Sequence, residues 1–410
     1  MADVVRLDDP SITLVPGFRA AGVACGLKAD KALDLALVSA ARPSPAAALF
    51  TTNRVRAAPV LHDAALMDAG KPIQAVVINS GCANACTGQR GLDDAVRTCE
   101  WTARALGCPQ DAVFVMSTGV IGQPLPMTKI GAGIRDAALA LSEQGGHAAA
   151  RAIMTTDTRP KEAAVRVRVG RKEVTIAGMC KGAGMIHPGM ATMLALLLTD
   201  AAVAPAVLKT ALVRVVERTF NMATVDGDMS TNDTVVLLAN GQAGNAVLDD
   251  IHSPEYEAFE DGLLAVATEL AQGLVRDGEG ATKFVTIRVS GAESWADAKQ
   301  VAKSIATSSL VKTAVYGQDA NWGRVICAAG YSGVDILPER LCLRMSGDAD
   351  SLLLVRDGAP YEIDEPRAAA ILADDEVTFA LDLGMGQAEA TVWTCDLSHS
   401  YVDINAHYRT

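Results

Sequence analysis

Short apolar runs rich in β-branched residues recur through the first half of the chain: AVVINS (75 to 80), AVFVMS (112 to 117) and AAVRVRVG (163 to 170), each bounded by Gly, Asn or Ser. Their length and flanks predict strands. Between and after them the apolar spacing widens to three and four, predicting helices over 90–107, 128–143 and 204–218. The most regular helix is predicted over 254–276, where Tyr256, Phe259, Leu263, Val266, Leu270 and Leu274 fall on one stripe. Pro254 suits its first turn and Ser253 its amino-terminal cap. After the glycine-rich RDGEGATK (276 to 283), strand-like runs such as FVTIRVS and EVTFALDLG dominate, which places a domain boundary near Lys283. The mixture predicts an α/β or layered α+β protein and leaves the sheet topology open.

One stretch departs from this pattern. KGAGMIHPGMATMLALLLTD (181 to 200) reads as a glycine-rich turn, a proline and then a buried strand, but Thr192 interrupts its apolar run. A buried hydroxyl needs a partner, and a core threonine bonded to a nearby carbonyl is the commoner case. The chemical alternative is specific. Threonine is a poor nucleophile unless a base adjoins it, and a threonine at a chain end has its own α-amino group as that base. Such an amine has a pKa of about 7.7 to 8.0. Within an intact chain the same nitrogen is an amide, so this chemistry requires cleavage of the Ala191–Thr192 bond.

Other polar stretches carry weaker signals. MSTGVIG (116 to 122) follows a predicted strand and could present a hydroxyl and backbone N–H groups to a developing oxyanion, although most such turns are only turns. Asp226, Asp228, Asn232 and Asp233 are spaced somewhat like a calcium loop but lack its distal Glu, and tight turns explain such clusters more often. No glycine-rich stretch has the spacing of a nucleotide-binding loop, so no nucleotide cofactor is expected. SYVDINAHYRT (400 to 410 from Ser400), with two aromatics and an Asn, predicts a docked carboxy terminus.

Composition narrows the class. With 410 residues, half of them apolar, the chain can bury a sizeable core and exceeds one domain of usual size. A net charge of −12 argues against nucleic acid as a partner. The nine cysteines form no CxxC pair and no histidines are paired at ligand spacing, so no metal site is expected. Buried, reduced thiols in a cytosolic protein are the favoured reading. MADVVRLDDPSITLV has neither a secretory nor a transit pattern. The longest apolar run, 193 to 198, falls far short of the roughly 20 residues of a membrane span, so a soluble cytoplasmic protein is expected.

Taken together and in order, GFRAAGVACGLK, LFTTNRVRAAPV, NSGCANACTG, STGVIG, TTDT, KGAGMIHPGMATML, TVDGDMSTNDT, LVKTAVYGQDANWGR and INAHYRT resemble the ornithine acetyltransferases, also called glutamate N-acetyltransferases. The resemblance spans most of the chain. It implies a self-processing fold of the amino-terminal-nucleophile type, shared with DmpA-like aminopeptidases. It divides the chain into a nucleophile-bearing core (1–283) and a smaller carboxy-terminal α/β domain (284–410).

It further implies self-cleavage between Ala191 and Thr192, giving an alpha chain (1–191) and a beta chain (192–410) that assemble as an α2β2 heterotetramer. Thr192 would carry acetyl from N-acetylornithine to glutamate, with Thr118 and Gly119 as the oxyanion hole. Substrate contacts would come from Thr155, Lys181, Thr192, Glu279, Asn405 and Thr410. No cofactor is implied, and acetyl-CoA as a second donor stays open. Gly189, Cys82 and Ala320 depart from the family pattern of Asn, Asn and Pro; none is the nucleophile or an oxyanion donor. Two alternatives remain at this point: a self-processing amidase or aminopeptidase, and a metabolite-binding protein that never cleaves.

Overall fold

The computed structural model describes residues 3–187, 193–361 and 364–407. The chain begins with β1 (Val4–Arg6), β2 (Phe18–Val23), β3 (Leu35–Ser44) and β4 (Ala46–Phe50), then α1 (Ala58–Asp68), β5 (Ile73–Cys82), α2 (Gly88–Leu106), β6 (Val113–Val120), α3 (Met127–Ala140) and α4 (Gly146–Ala152). The centre of the chain forms β7 (Lys161–Val169), β8 (Lys172–Lys181), β9 (Leu194–Thr199), α5 (Pro205–Arg218), β10 (Thr234–Ala239) and α6 (Pro254–Arg276). The remainder comprises β11 (Phe284–Ala292), α7 (Trp295–Ala306), α8 (Ser309–Tyr316), α9 (Trp322–Gly330), β12 (Cys342–Ser346), β13 (Ser351–Arg356), β14 (Ala359–Pro360), α10 (Glu365–Ala373), β15 (Glu376–Asp382), β16 (Ala388–Cys395) and α11 (His399–His407).

Among the described residues the strands form three sheets. The first is ordered β1-β7-β8-β9-β10-β4, the second β2-β3-β5-β6, and the third β14-β13-β12-β15-β11-β16. In the first sheet β9 and β10 run parallel, while β8 and β4 flank them antiparallel.

Side-chain alternation shows how the layers stack. Along β9, Leu194, Leu196 and Leu198 join a core that also holds Val76, Ile78, Phe114 and Met116 of the second sheet. Ala195 and Leu197, on the opposite face, join a core with Leu212 of α5 and Leu263 and Leu270 of α6. Because successive strand residues point to opposite faces, the first sheet is covered on both sides. The second sheet is likewise backed by α2 and α3 through Val77, Val115, Cys99 and Ile130. The result is a four-layer stack of helices, sheet, sheet and helices. The third sheet has a separate core with α7 and α10, and its first strand starts one residue after Lys283.

α6 spans the predicted range. Ser253 caps it by accepting a hydrogen bond from the Tyr256 N–H, and Pro254 opens its first turn. All six residues of its stripe are buried. Phe259 lies wholly inside, so Phe259→Ala should cost about 3–5 kcal/mol. A fall in the thermal unfolding midpoint checks this, and an unchanged midpoint would contradict the packing described.

The cysteines depart in part from expectation. All nine are free thiols, but Cys86 and Cys327 are exposed and only Cys82, Cys99, Cys180 and Cys395 are buried. Cys86 lies in the turn just before α2, and Cys327 lies within α9 on the side away from its buried residues Val325, Ala328 and Ala329. Among the described residues no helix is long and apolar enough to cross a membrane, and no cluster of three or more His, Cys, Asp or Glu could hold a metal ion.

Candidate active site

The first two sheets meet at one end in a cavity of about 260 Å³. Strand register brings its walls together. Lys181, the last residue of β8, pairs with Leu194, the first of β9, which in turn pairs with Thr234 of β10. From the second sheet, β6 ends at Thr118, Gly119 and Val120. Two side chains clamp the sheets here. Lys181 Nζ lies 3.2 Å from Thr118 Oγ1, and Asn232 Nδ2 donates to Ala83 O (2.6 Å) and Ser117 O (2.8 Å).

Thr118, Gly119, Thr155, Lys181, Glu279 and Asn405 all line this cavity. They arrive from five separate parts of the chain, Thr118 and Gly119 being neighbours at the end of β6. Thr192, Ala191 and Thr410 lie outside the described residues, as does Gly189, but the cavity is also lined by Met193 and Leu194, which follow Thr192 directly in sequence.

Gly119 is fixed as glycine by two observations. Its φ is +128°, and a Cβ there would lie 2.3 Å from the Gly81 carbonyl carbon and 2.5 Å from the Cys82 nitrogen. β5 and β6 therefore approach too closely for any side chain. Gly184 has a related role opposite. A Cβ on it would fall 2.3 Å from Glu279 Oε2, so its bareness makes room for that carboxylate.

Glu279 follows α6, and its N–H donates to Ala183 O at 2.8 Å. Its Oε2 accepts from Asn405 Nδ2 at 2.8 Å, which docks α11 over the cavity. Tyr401 supports the same docking by donating from its hydroxyl to Asp226 Oδ2 at 3.2 Å. The expected docked terminus is thus a helix, and it supplies part of the cavity wall.

Three carboxylates near the cavity had no place among the expected site residues. Asp226 accepts the Met185 and Ile186 N–H groups as well as the Tyr401 hydroxyl, and it also accepts the Asp228 N–H. Its oxygens organise a turn, the commoner reading of that cluster. Asp233 is 1% exposed. Burial pushes its carboxyl well above the ordinary range, against the pull of hydroxyls and of Lys181. Its Oδ2 has no hydrogen-bond partner among the described residues.

Asp157, within TTDT, is also buried. Burial alone would raise its carboxyl, but Lys181, Lys161 and the Gly182 N–H outweigh that and bring it down to about 2. Lys181 itself is lowered from the usual ammonium value by burial, while Asp157, Asp233 and Glu279 pull the other way. His187 is held neutral, burial depressing it to about 4, with Nδ1 3.2 Å from Thr224 Oγ1. Cys82, one of the departures noted above, turns its thiol to Gln123 O at 3.2 Å and does not line the cavity.

The cavity therefore combines one buried ammonium, the buried carboxylate of Glu279, the buried carboxyl of Asp233, a glycine turn at a strand end, and the start of a strand. Such a set suits a small zwitterionic ligand, because opposite charges must each find a partner once water is excluded.

The model of the ArgJ family matches residues 19–410. The chain is 51% identical over 401 residues to the arginine biosynthesis bifunctional protein ArgJ of Symbiobacterium thermophilum, covering 97% of this chain and 98% of that protein. It is 47% identical over 409 residues to the mitochondrial protein of the same description from Heterostelium pallidum, covering 96% and 94%. A crystal structure of arginine biosynthesis bifunctional protein ArgJ from Bacillus halodurans is 41% identical, with a TM-score of 0.50, and covers 53% of this chain and all of that one.

Proposed function

The chain belongs to the ArgJ family, and from that premise we propose that it is a self-cleaving acetyltransferase, moving acetyl from N2-acetyl-L-ornithine to L-glutamate through an ester on Thr192. The observation that carries the reading is convergence. Thr118, Gly119, Thr155, Lys181, Glu279 and Asn405 line one cavity with Met193 and Leu194.

The chemistry follows in two stages. In the precursor the Thr192 hydroxyl attacks the Ala191 carbonyl carbon, the C–N bond breaks, and the acyl group moves to oxygen. Water then hydrolyses this ester, freeing the Ala191 carboxylate and the Thr192 α-amino group. In turnover that amine accepts the Oγ proton as oxygen attacks the acetyl carbonyl of N-acetylornithine. The Gly119 N–H and the Thr118 hydroxyl stabilise the tetrahedral oxyanion. As the carbonyl–nitrogen bond breaks, the leaving nitrogen of ornithine takes the proton back. The amine of glutamate then attacks the acetyl ester by the reverse sequence, restoring the Thr192 hydroxyl.

Lys181 holds the α-carboxylate common to donor and acceptor. Glu279, braced by Asn405, faces the cationic end of ornithine. The cleaved chains pair as an α2β2 heterotetramer in the cytoplasm, and acetyl-CoA serves as an alternative donor to glutamate.

Purified protein incubated with N-acetylornithine, with and without glutamate, tests the reading. Ornithine release should depend on glutamate, with N-acetylglutamate formed in equal amount. Release that ignores glutamate would identify an amidase, in which water is the acceptor. Formation of N-acetylglutamate from acetyl-CoA, assayed in parallel, tests the second donor.

A further inference from the structure

Beneath the cavity lies a buried charge cluster that the reaction above does not use. Lys161 Nζ is 2.6 Å from Asp157 Oδ1 and 2.5 Å from Asp277 Oδ2, and all three side chains are at most 3% exposed. The same Asp157 oxygen accepts the Gly182 N–H at 2.7 Å. Its other oxygen accepts the Thr155 N–H at 2.9 Å. Asp277 accepts the Thr158 N–H at 3.1 Å and the Thr158 hydroxyl.

These contacts tie three chain segments together: the TTDT loop, the junction of β8 with the following turn, and the end of α6. Each segment carries a cavity residue close in sequence, Thr155, Lys181 and Glu279 respectively. Two carboxylates and one ammonium leave one excess negative charge. The neighbouring Lys181 ammonium balances it, which matters because an uncompensated charge is costly where water is excluded.

We propose that Asp157 is a positioning residue for substrate binding: its carboxylate supplies the fixed negative charge against which Lys181 is held, and its two oxygens peg Thr155 and Gly182 on either side. The proposal rests on Lys181 binding a substrate carboxylate. Several charged groups act on Lys181. Asp157 and Lys161 face it from the loop and start of β7, Asp233 from before β10, and Glu279 from after α6. Lys28, in the turn after β2, adds a second repelling cation. A substrate carboxylate is held while Lys181 keeps its proton and released as pH rises through its pKa. Loss of the Asp157 charge lowers that pKa, so release begins at lower pH.

Asp157→Asn should raise KM for N-acetylornithine and for glutamate roughly ten- to a hundredfold, with kcat within about threefold. The alkaline limb of kcat/KM should move down by about one pH unit. A variant with a lower thermal midpoint but wild-type KM and limb would overturn the proposal, because Asp157 would then be structural only. If Asp157→Asn does not fold, Asp157→Glu decides. It keeps the charge but displaces both oxygens, so the limb should stay and KM should rise; a wild-type KM would overturn it. Lys181→Met separates this inference from its premise. Unchanged KM in that variant removes the premise and the proposal together, whereas raised KM there with a wild-type-like Asp157→Asn refutes Asp157 alone.

Discussion

Thr192→Ala is expected to run as a single intact chain on a denaturing gel, where the unaltered protein gives two fragments divided between Ala191 and Thr192. Acetyl transfer should fall by roughly 10⁴-fold or more, the scale of losing a nucleophile. In the proposed mechanism both losses share one cause, because the hydroxyl that attacks the Ala191 carbonyl is the one that later attacks the acetyl group. The variant should still fold, since the substitution removes only a methyl and a hydroxyl group ahead of β9. Thr192→Ser keeps the hydroxyl and should retain cleavage. An alanine variant that cleaves normally, or transfers acetyl at the wild-type rate while uncleaved, would rule out Thr192 as the nucleophile.

Gly119→Ala should have the next largest effect. A methyl group there would collide with the Gly81 carbonyl carbon at 2.3 Å and with Gly81 Cα at 2.7 Å, both backbone atoms of β5. The φ of +128° is also one that alanine rarely adopts. The strand end must therefore rotate or move away, taking the Gly119 N–H with it. Loss of one aligned oxyanion donor costs about 10²–10³-fold in kcat, while KM should change little because the donor acts on the tetrahedral species. Self-cleavage should slow in the same variant, which a time course of fragment appearance would show. Normal cleavage with impaired transfer would show that the Gly119 N–H serves acetyl transfer and not the cleavage step.

Much of the fold was legible where local signals agreed. α6 matches at both ends because Ser253, Pro254 and the apolar stripe all specify the same helix. β9 lies within one residue of the apolar run that predicts it. β8 escaped detection for a physical reason. Its second half, Ala177 to Cys180, is small or unbranched, and at Gly178 a Cβ would lie 2.6 Å from Leu197 Cδ2 and 2.8 Å from Leu270 Cδ1. Close packing by β9 and α6 selects those residues, so strand propensity leaves little trace. The parallel pairing of β9 with β10 was equally invisible, since nothing local records which distant strand completes a ladder.

The candidate site shows the same division. MSTGVIG, TTDT and INAHYRT are individually weak, and their meaning came from their joint order. Asp157 was missed, and Asp233 was noticed only as part of a calcium-like cluster, because their importance depends on what lies opposite: Lys161 and Gly182 for one, Lys181 for the other. Spacing along the chain contains neither relation. The Asp226 group did attract notice, as a calcium-like cluster, but its oxygens are turned to backbone N–H groups and Tyr401.

The first sheet places β9 and β10 between β8 on one side and β4 on the other. If the bond before Thr192 is cut as proposed, two strands of the later polypeptide are gripped on both sides by strands of the earlier one. Folding then changes its molecularity. The uncut chain assembles this sheet as a first-order event, but the processed protein, if unfolded, must bring two molecules together and becomes dependent on concentration. Cleavage would thus turn a reversible folding problem into an encounter problem, and the processed protein would persist by the slowness with which its interleaved strands come apart.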